Sequence, residues 1–237
     1  MDLFNRWQKI YDDAVAELLA TEDVSAFDLS NYGKLVEEYG KILKHYRHYR
    51  ELTDKPVNRT DKPEILNSSH FDVLTGIFNR GYLNHNIDRI MSSMEQSGEP
   101  LSIMLADIDY FKQYNDRYGR DAGDNCLRYI AETLKSSLYR GNDFVARFGG
   151  EEFIAVLPST NEEGARLVAE RMINQIKGLE IPHESSPVSK VITVSIGVVT
   201  SANCKIAADC FFKRVDEALY QAKDHGRNQY AYLGLHL

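Results

Sequence analysis

The sequence predicts an α+β fold in which helices cover a largely antiparallel sheet. Three observations lead to this prediction. Apolar positions recur at helical spacing in several long segments, shorter apolar runs lie between them, and two of these runs are joined by a two-glycine turn. The helices and strands do not follow strict βαβ alternation, which favours an antiparallel arrangement. With 237 residues, 43% of them hydrophobic, the chain can fill one ordinary domain and a smaller region beside it.

The chain is expected to divide into a helical region with a linker at residues 1–66 and a main domain at residues 67–237. A first helix is predicted at about residues 1–20, and a second helix carries an apolar seam with alternating spacings of three and four residues. The seam consists of Tyr32, Leu35, Tyr39, Ile42, Tyr46 and Tyr49. It can pack as a helical hairpin against the first helix, or as a coiled coil against a second copy of the chain, and both alternatives stay open.

Two smaller features complete this region. His45 and His48 are three residues apart in the second helix, which is a spacing that metal ligands use, but no acidic or cysteine partner is evident and solvated histidines are favoured. Thr53–Ser69 contains two Lys-Pro pairs, is rich in Asn, Asp and Ser, and lacks periodicity, so it is predicted to be a linker.

The main domain is predicted to begin with a turn-rich entry at Asp72–Arg80. Gly98 and Pro100 end the first of its helices, and the continuously apolar run that follows is expected to be a buried strand. The predicted elements are, in order, a helix Asn79–Ser97, a strand Leu101–Ala106, a short helical stretch around Lys112, a helix Asn125–Tyr139, the hairpin strands Phe144–Phe148 and Phe153–Leu157, a helix Asn161–Lys177, a strand Lys190–Thr200, a helix Ala207–His225 and a strand Gln229–Leu233.

The tip of the predicted hairpin combines glycines with acids. Gly149 and Gly150 permit positive φ and lack side chains, so a phosphate can approach the backbone N–H groups, while Glu151 and Glu152 place oxygen ligands beside it. Oxygen ligands next to a phosphate site indicate Mg²⁺ and a nucleotide. The alternative is a surface hairpin whose acids only keep its tip soluble, and the hairpin alone does not decide between the two.

Charge and cysteine content restrict the function classes. A net charge of −7 argues against a general nucleic-acid-binding surface, so an anionic substrate would have to be held by a few local cations or a metal. The apolar runs are too short for a membrane span and the N-terminus lacks a secretory signal, so a cytoplasmic protein is expected. The three cysteines fit a reducing compartment and are assigned no role.

Six motifs in sequence order resemble those of the GGDEF family, the diguanylate cyclases. They are Asp72-x-Leu-Thr-Gly-x-x-Asn-Arg80, Asp107-Ile-Asp-x-Phe-Lys-x-x-Asn-Asp116, Gly123-Asp124, Arg147-x-Gly-Gly-Glu-Glu-Phe153, Thr193-x-Ser-x-Gly197 and Ala222-Lys-x-x-Gly-Arg-Asn228. The resemblance extends from about residue 70 to the C-terminus. It implies a sheet related to nucleotide cyclase and polymerase palms, and the condensation of two GTP to cyclic di-GMP with release of pyrophosphate. A catalytically silent receptor for GTP or cyclic di-GMP is the alternative.

The resemblance also implies a metal site. Asp107 and Glu151 would hold Mg²⁺, or Mn²⁺ in its place, with the carbonyl of Ile108 and the carboxylate of Glu152 as further ligands. Two carboxylates together with substrate phosphates and water satisfy Mg²⁺. Glu151 is also a candidate base for the attacking 3′-hydroxyl, whereas Asp109 has no defined role. For Asp107 the alternative is a strand-end acid that accepts backbone N–H bonds.

Substrate-binding residues are carried over from the same motifs. Asn115 and Asp124 would select guanine, because one carboxylate can accept both the N1–H and N2–H₂ donors that adenine does not present. The alternative for Asp124 is an N-cap of the helix that follows. The phosphates would be held by cations and by backbone N–H groups near Tyr110. The residues implied are Lys112, Lys223 and Arg227 as cations, and Phe111, Gly149 and Gly150 through the backbone.

A second site and a dimer follow from the resemblance. Arg140-x-x-Asp143 is similar to the family's product-inhibition motif, and Arg171 lies where a second family arginine is found; a surface ion pair is the alternative. The two-fold symmetric product requires two domains that face each other, so a homodimer is expected. Arg120 replaces the histidine that is usual in the family. Because Asp124 is kept, the protein is still expected to be active, with altered packing around Arg120.

Overall fold

The computed structural model describes residues 70–202 and 207–235. The predictions for residues 1–66 lie outside the described residues. These are the two helices, the apolar seam, His45 and His48, most of the linker and the domain boundary near residue 67, all of which stay predictions.

The described part of the chain contains six strands and five helices. They are β1 (Phe78–Asn79), α1 (Arg80–Ser97), β2 (Leu101–Ile108), α2 (Phe111–Tyr118), α3 (Arg120–Ser136), β3 (Phe144–Arg147), β4 (Glu152–Pro158), α4 (Glu162–Lys177), β5 (Val194–Ser201), α5 (Ala208–Asp224) and β6 (Tyr230–Gly234). The helices predicted at residues 79–97, 161–177 and 207–225 are confirmed to within one residue at each end. So are the hairpin strands and the last strand.

The strands form one mixed sheet in the order β1-β3-β4-β2-β5-β6. The three inner pairings, β3 with β4, β4 with β2, and β2 with β5, are antiparallel, while β1 and β6 add to the edges in parallel. The α+β prediction with a largely antiparallel sheet is therefore confirmed, with the correction that both edge pairings are parallel. The two-residue β1 was not predicted, because its residues belong to a turn-rich segment.

The central strand β2 is buried along its whole length, and its side chains supply two separate cores. On one face, Met104, Ala106 and Ile108 pack with residues of α3 and α4. On the other face, Ile103 and Leu105 pack with residues of α1 and α5. Because side chains alternate across a strand, a continuously apolar run is required where both faces are covered by helices.

Helix α5 lies directly on the sheet at Gly197 of β5. A Cβ atom at this position would overlap the carbonyl oxygen of Val215 and lie 2.9 Å from the Cα atom of Leu219. Only glycine permits this approach, and it places the end of α5, with its basic residues, close to the end of β2.

Three elements have bounds that differ from the predictions. Helix α3 begins at Arg120 instead of Asn125 and ends at Ser136 instead of Tyr139, with Gly119 (φ 87°) as its N-cap. The interpretation of Asp124 as an N-cap is therefore wrong. A single glycine with positive φ makes the turn that a longer glycine- and aspartate-rich loop was expected to make.

The other two elements are β2 and β5. Strand β2 continues to Ile108, which pairs with Val194 of β5. Strand β5 begins at Val194 and not at Lys190, because Val191 forms only an isolated bridge with Pro182. None of the helices within residues 70–202 and 207–235 has the length and apolar character that a membrane crossing needs.

Candidate active site

The β2–β4 pairing brings Asp107 to two acids that lie more than forty residues later in the sequence. Asp107 pairs directly with Glu152 across the two strands. The hairpin tip is closed by the N–H of Phe148, which donates to the carbonyl oxygen of Glu152 at 2.8 Å, so Glu151 lies in the turn beside them. We call Asp107, Glu151 and Glu152 the carboxylate cluster.

The two glycines of the hairpin tip do not use the positive φ that glycine permits. What Gly149 requires is space: a Cβ atom there would lie 2.5 Å from Oε2 of Glu152. At Gly150 a Cβ atom would meet nothing within 4 Å, which leaves the backbone open to a ligand. The missing side chains, not the backbone angles, shape this turn.

Electrostatic repulsion marks the carboxylate cluster. Burial raises the pKa of Glu151 and of Glu152, and the nearby charge of Asp107 raises both further. Burial also raises the pKa of Asp107, although Nζ of Lys223 lies 2.8 Å from its Oδ1 atom and opposes that shift. The cluster thus holds more negative charge than the lysine compensates.

Arg147 fixes the hairpin tip to the start of the domain. Its Nε and Nη2 atoms donate to the carbonyl oxygen of Gly150 at 3.2 and 2.6 Å, and its Nη1 atom lies 3.1 Å from Oδ1 of Asp72. Burial alone would raise the pKa of Asp72, but hydrogen bonds from Thr75 and the charge of Arg147 lower it. Both residues belong to the motifs of the sequence, but no role was assigned to them because neither motif shows that they meet.

The junction between β2 and α2 lies beside the cluster. Tyr110 adopts the left-handed conformation (φ 57°) and begins α2 without a side-chain cap, followed by the buried Phe111 and the exposed Lys112. The first N–H groups of a helix have no partner within it and can bind an anion. The guanidinium of Arg227 lies 4.6 Å from the ring centre of Tyr110, and its charge also acts on Asp107.

The predicted base-binding residues lie on facing helices. Asn115 of α2 packs against Gly123 of α3, where a Cβ atom would overlap Oδ1 of Asn115 and lie 3.0 Å from its Cγ atom. Asp124 follows Gly123 and is exposed. The space at Gly123 therefore sets where the amide of Asn115 can lie.

Asp109 is held in a complete set of hydrogen bonds. It is 1% exposed, and it accepts from the hydroxyls of Thr193 and Ser195, each at 2.7 Å, and from the N–H of Asn228 at 3.1 Å. These bonds join the end of β2 to β5 and to the turn that carries Arg227. The sequence did not indicate a role for Asp109, and the structure assigns it to holding these segments together.

The predicted second site is only partly assembled. Nη1 of Arg140 donates to Oγ1 of Thr160 at 2.9 Å, and it forms no ion pair with Asp143 within the part of the chain that the structure describes. Burial raises the pKa of Asp143, and its Oδ1 atom is buried without a hydrogen-bond partner among the described residues. Arg171 stacks on the ring of Tyr139 at 4.1 Å and donates to the carbonyl oxygen of Ser137.

Within residues 70–202 and 207–235, no three His, Cys, Asp or Glu side chains are arranged to hold an ion by themselves. A cation at the carboxylate cluster would need further ligands, which phosphate oxygens and water can provide.

Comparison with known proteins shows which family the main domain resembles. The family model described as "Diguanylate cyclase, GGDEF domain" matches residues 69–229. The chain is 38% identical over 192 residues to the response regulator PleD of Caulobacter vibrioides. The aligned residues cover 81% of this chain and 42% of PleD. Against the curated relatives that it matches, the chain spans less than half of their length.

Two solved structures agree with this match. The GGDEF domain of DgcB from Caulobacter crescentus, in complex with c-di-GMP, has a TM-score of 0.63 at 28% identity and covers 69% of this chain and 95% of that one. The active GGEEF domain of a diguanylate cyclase from Vibrio cholerae has a TM-score of 0.58 at 32% identity and covers 65% of this chain and 96% of that one.

Proposed function

The chain belongs to the diguanylate cyclase GGDEF domain family, and we propose that it condenses two GTP molecules into cyclic di-GMP and two pyrophosphates. The observation that carries this proposal is the carboxylate cluster, in which Asp107 at the end of β2 meets the two hairpin-tip acids beside Lys223. The solved Vibrio cholerae relative, described as an active GGEEF domain, supports activity for a hairpin that reads Gly-Gly-Glu-Glu-Phe.

The reaction consists of two equivalent transfers. In each, the 3′-oxygen of one GTP forms a bond to the α-phosphorus of the other, the bond from that phosphorus to the β-phosphate oxygen breaks, and pyrophosphate leaves with the electron pair. The proton of the 3′-hydroxyl passes to a base, for which Glu151 is the candidate. Its pKa, raised by burial and by the charge of Asp107, brings its proton affinity closer to that of a working base.

The cluster fits a divalent cation such as Mg²⁺ or Mn²⁺. Its acids are partly buried and repel one another, and a cation would offset both costs. Asp107, Glu151, Glu152 and the carbonyl of Ile108 would hold it. When bound, the metal supplies positive charge that polarises the α-phosphate and favours ionisation of the 3′-hydroxyl.

The remaining predicted residues bind and orient the substrate. Lys112 and the backbone at Phe111 contribute at the start of α2, Arg227 lies above Tyr110, and Gly149 and Gly150 leave room for the phosphates. Lys223 would exchange its partner Asp107 for a phosphate oxygen. Asn115 and Asp124 would bind the guanine edge. Their task is to hold the reacting atoms in line, since catalysis of phosphoryl transfer rests on positioning and charge.

Dimerisation and product inhibition complete the proposal. Each domain would carry one GTP, so two copies must meet, and we assign residues 1–66 to pairing them. Cyclic di-GMP would bind at Arg140, Asp143 and Arg171, where an unpartnered carboxylate oxygen and stacked guanidinium can receive a guanine. The GGDEF domain of DgcB, which was solved in complex with c-di-GMP, supports binding of this product.

The deciding experiment incubates the purified full chain with GTP and Mg²⁺ and separates the products by chromatography. We expect cyclic di-GMP from wild type, a loss of about 100-fold or more in Glu151→Gln, and no cyclic product from ATP.

Each other outcome of this experiment has a distinct meaning. GTP binding without product in a dimeric wild type would contradict the proposal and favour the silent receptor. Turnover unchanged in Glu151→Gln would remove the carboxylate cluster from the reaction. Added product should slow wild type more than Arg140→Ala, and equal inhibition would refute the second site.

A further inference from the structure

His183 is a buried polar residue that the proposed reaction does not yet use. It lies in the connection between α4 and β5, has no exposed surface, and contacts the β2–α2 junction through Nε2, which lies 3.1 Å from the carbonyl oxygen of Tyr110. The connection is itself well ordered by hydrogen bonds. The N–H of His183 donates to the carbonyl of Lys190 at 2.8 Å, and Oγ of Ser186 accepts from the N–H groups of Val188 and Ser189.

The contact defines the protonation state of the ring. A carbonyl oxygen can only accept, so Nε2 of His183 must carry the hydrogen and donate it to Tyr110. The other ring nitrogen, Nδ1, is buried and has no hydrogen-bond partner among the described residues. A second proton there would be a buried donor without an acceptor, so the ring is neutral, and burial accordingly lowers the pKa of His183.

The peptide that His183 holds is an unusual one. Tyr110 is a non-glycine residue with positive φ, a conformation that costs free energy and persists only where surrounding contacts enforce it. Its carbonyl oxygen accepts two bonds, one from the N–H of Tyr114 within α2 and one from His183. The direction of the first turn of α2, with the N–H groups of Phe111 and Lys112, depends on this peptide.

A purely structural role does not explain why a histidine stands here. The ring of His183 packs edge-on against Tyr114, with 5.3 Å between the centroids, and a phenyl ring of similar size would make the same contact without burying a nitrogen. The polar ring costs free energy of desolvation, which only its bond to Tyr110 offsets. That bond reaches across from a different segment to the one peptide that sets the start of α2.

We infer that His183 is a positioning residue for GTP: its Nε2–H holds the Tyr110 peptide so that the first turn of α2 meets the phosphates. This inference rests on the proposed function, because it assigns the phosphates to that turn. It adds a residue outside the motifs that the sequence shows, and it makes the α4–β5 connection part of the substrate site. Without the bond, the Tyr110 peptide is free to rotate and the N–H groups no longer converge.

The test compares three variants of the full chain with wild type. His183→Phe keeps the ring and loses the donor, His183→Gln keeps an amide donor at a similar reach, and His85→Phe is the control, since His85 is exposed on α1. Two readouts are measured: the KM and kcat for GTP, and the Kd for α,β-methylene-GTP with Mg²⁺, which binds without reacting. Thermal melting confirms that each variant is folded.

We expect the KM and the Kd to rise about tenfold in His183→Phe, with kcat changed less than threefold, and to return most of the way in His183→Gln. His85→Phe should match wild type. ¹⁵N NMR of labelled histidine should show Nε2 protonated and Nδ1 unprotonated in the folded protein at neutral pH.

Outcomes that overturn the inference are separate from those that overturn the proposed function. A folded His183→Phe with unchanged KM and Kd, a His183→Gln as weak as His183→Phe, or a proton on Nδ1 would refute the role of His183 alone. Nucleotide binding that weakens in His183→Phe, without any cyclic product from wild type, would refute the cyclase and keep the positioning role. A wild type that binds no nucleotide would overturn both.

Discussion

Asp107 and Asp109 lie two residues apart and are both buried, but they belong to two regions of the molecule that treat a buried acid in opposite ways. In the carboxylate cluster, Asp107 is 8% exposed, has Lys223 as its cation and faces two further acids whose pKa values are raised. Two residues later, Asp109 is 1% exposed, and its oxygens receive two hydroxyls and a backbone N–H. We call Asp109 and His183, with their hydrogen-bond partners, the junction brace.

The number of donors around each acid separates a carboxylate that is buried to stabilise the fold from one that is buried to bind a ligand. A buried carboxylate costs little when enough donors face it, and Asp109 meets that condition within the protein. The carboxylate cluster does not, because among the described residues Lys223 alone forms an ion pair with its three acids, and the charge of Arg227 is more distant. The missing partners are what a substrate and a cation would bring, so the electrostatic imbalance of the cluster indicates its use.

The largest expected effects come from replacing each of the two aspartates, Asp107 and Asp109, by alanine. Asp107→Ala should lower turnover about a thousandfold but change the free energy of unfolding by less than about 1 kcal/mol, because repulsion in the cluster is lost along with one ion pair. Asp109→Ala should lower the free energy of unfolding by about 3 kcal/mol, because three donors lose their acceptor. Urea denaturation and cyclic di-GMP formation measure the two effects. A reversed pattern, with Asp109→Ala stable and Asp107→Ala active, would contradict the distinction.

A smaller effect is expected at Gly123, which is buried like a structural residue but adjoins the proposed base-binding site. Gly123→Ala should raise the KM for GTP about tenfold, because the new methyl group would displace the amide of Asn115. The fold should tolerate it, since alanine favours a helix over glycine by about 1 kcal/mol.

The control for Gly123 is a double-mutant cycle. In an Asn115→Ala background the side chain that would be displaced is absent, so adding Gly123→Ala should have no further effect on KM. Additive losses in the double variant would show that Gly123 acts on the site by another route.

The smallest effect concerns the pH dependence of the junction brace. Burial lowers the pKa of His183 from its ordinary value of 6.5, so the unfolded chain takes up a proton at a higher pH than the folded protein does. The contribution of the neutral His183 ring to the free energy of unfolding is fully present above pH 6.5, and it is lost as the pH falls from there towards the folded pKa. Tyr114, the ring that packs on His183, has its own pKa raised by burial and does not titrate in this window.

The measurement is the urea midpoint of wild type and His183→Phe between pH 7 and pH 5.5. Wild type should lose more stability than the variant as the pH falls, because phenylalanine takes up no proton. Parallel curves for the two proteins would show that His183 does not titrate differently in the folded and unfolded states.

Much of the fold could be predicted because its elements have local signatures. The helix at Glu162–Lys177 has an Asn161 cap whose side chain accepts from the N–H of Gly164, and the helix at Arg80–Ser97 ends at the left-handed Gly98. The last strand was predicted, but the two-residue β1 and the parallel pairing of both edge strands were not. Phe78–Asn79 is too short for a periodic pattern, and its pairing with β3 depends on residues more than sixty positions away.

The candidate site was predicted by motif, not by proximity. The sequence pointed to Asp107 and Glu151 through motifs that lie about forty residues apart, and the β2–β4 register places them together. It did not indicate Arg147 as a tether to Asp72, or His183 as a partner of Tyr110. No spacing rule links either pair, because Arg147 meets Asp72 only when the hairpin packs on the start of the domain, and His183 meets Tyr110 only when the connection after α4 folds back on the start of α2.

The sequence by itself determined the family, the order of elements and the residue types at the site, because these depend on local periodicity, caps and motifs. Only the tertiary structure decided which buried acid is balanced by donors and which is not. The environment of a carboxylate is set by side chains that converge from distant segments, as Thr193, Ser195 and Asn228 converge on Asp109. Two aspartates separated by one residue therefore have different tasks that their positions in the sequence do not reveal.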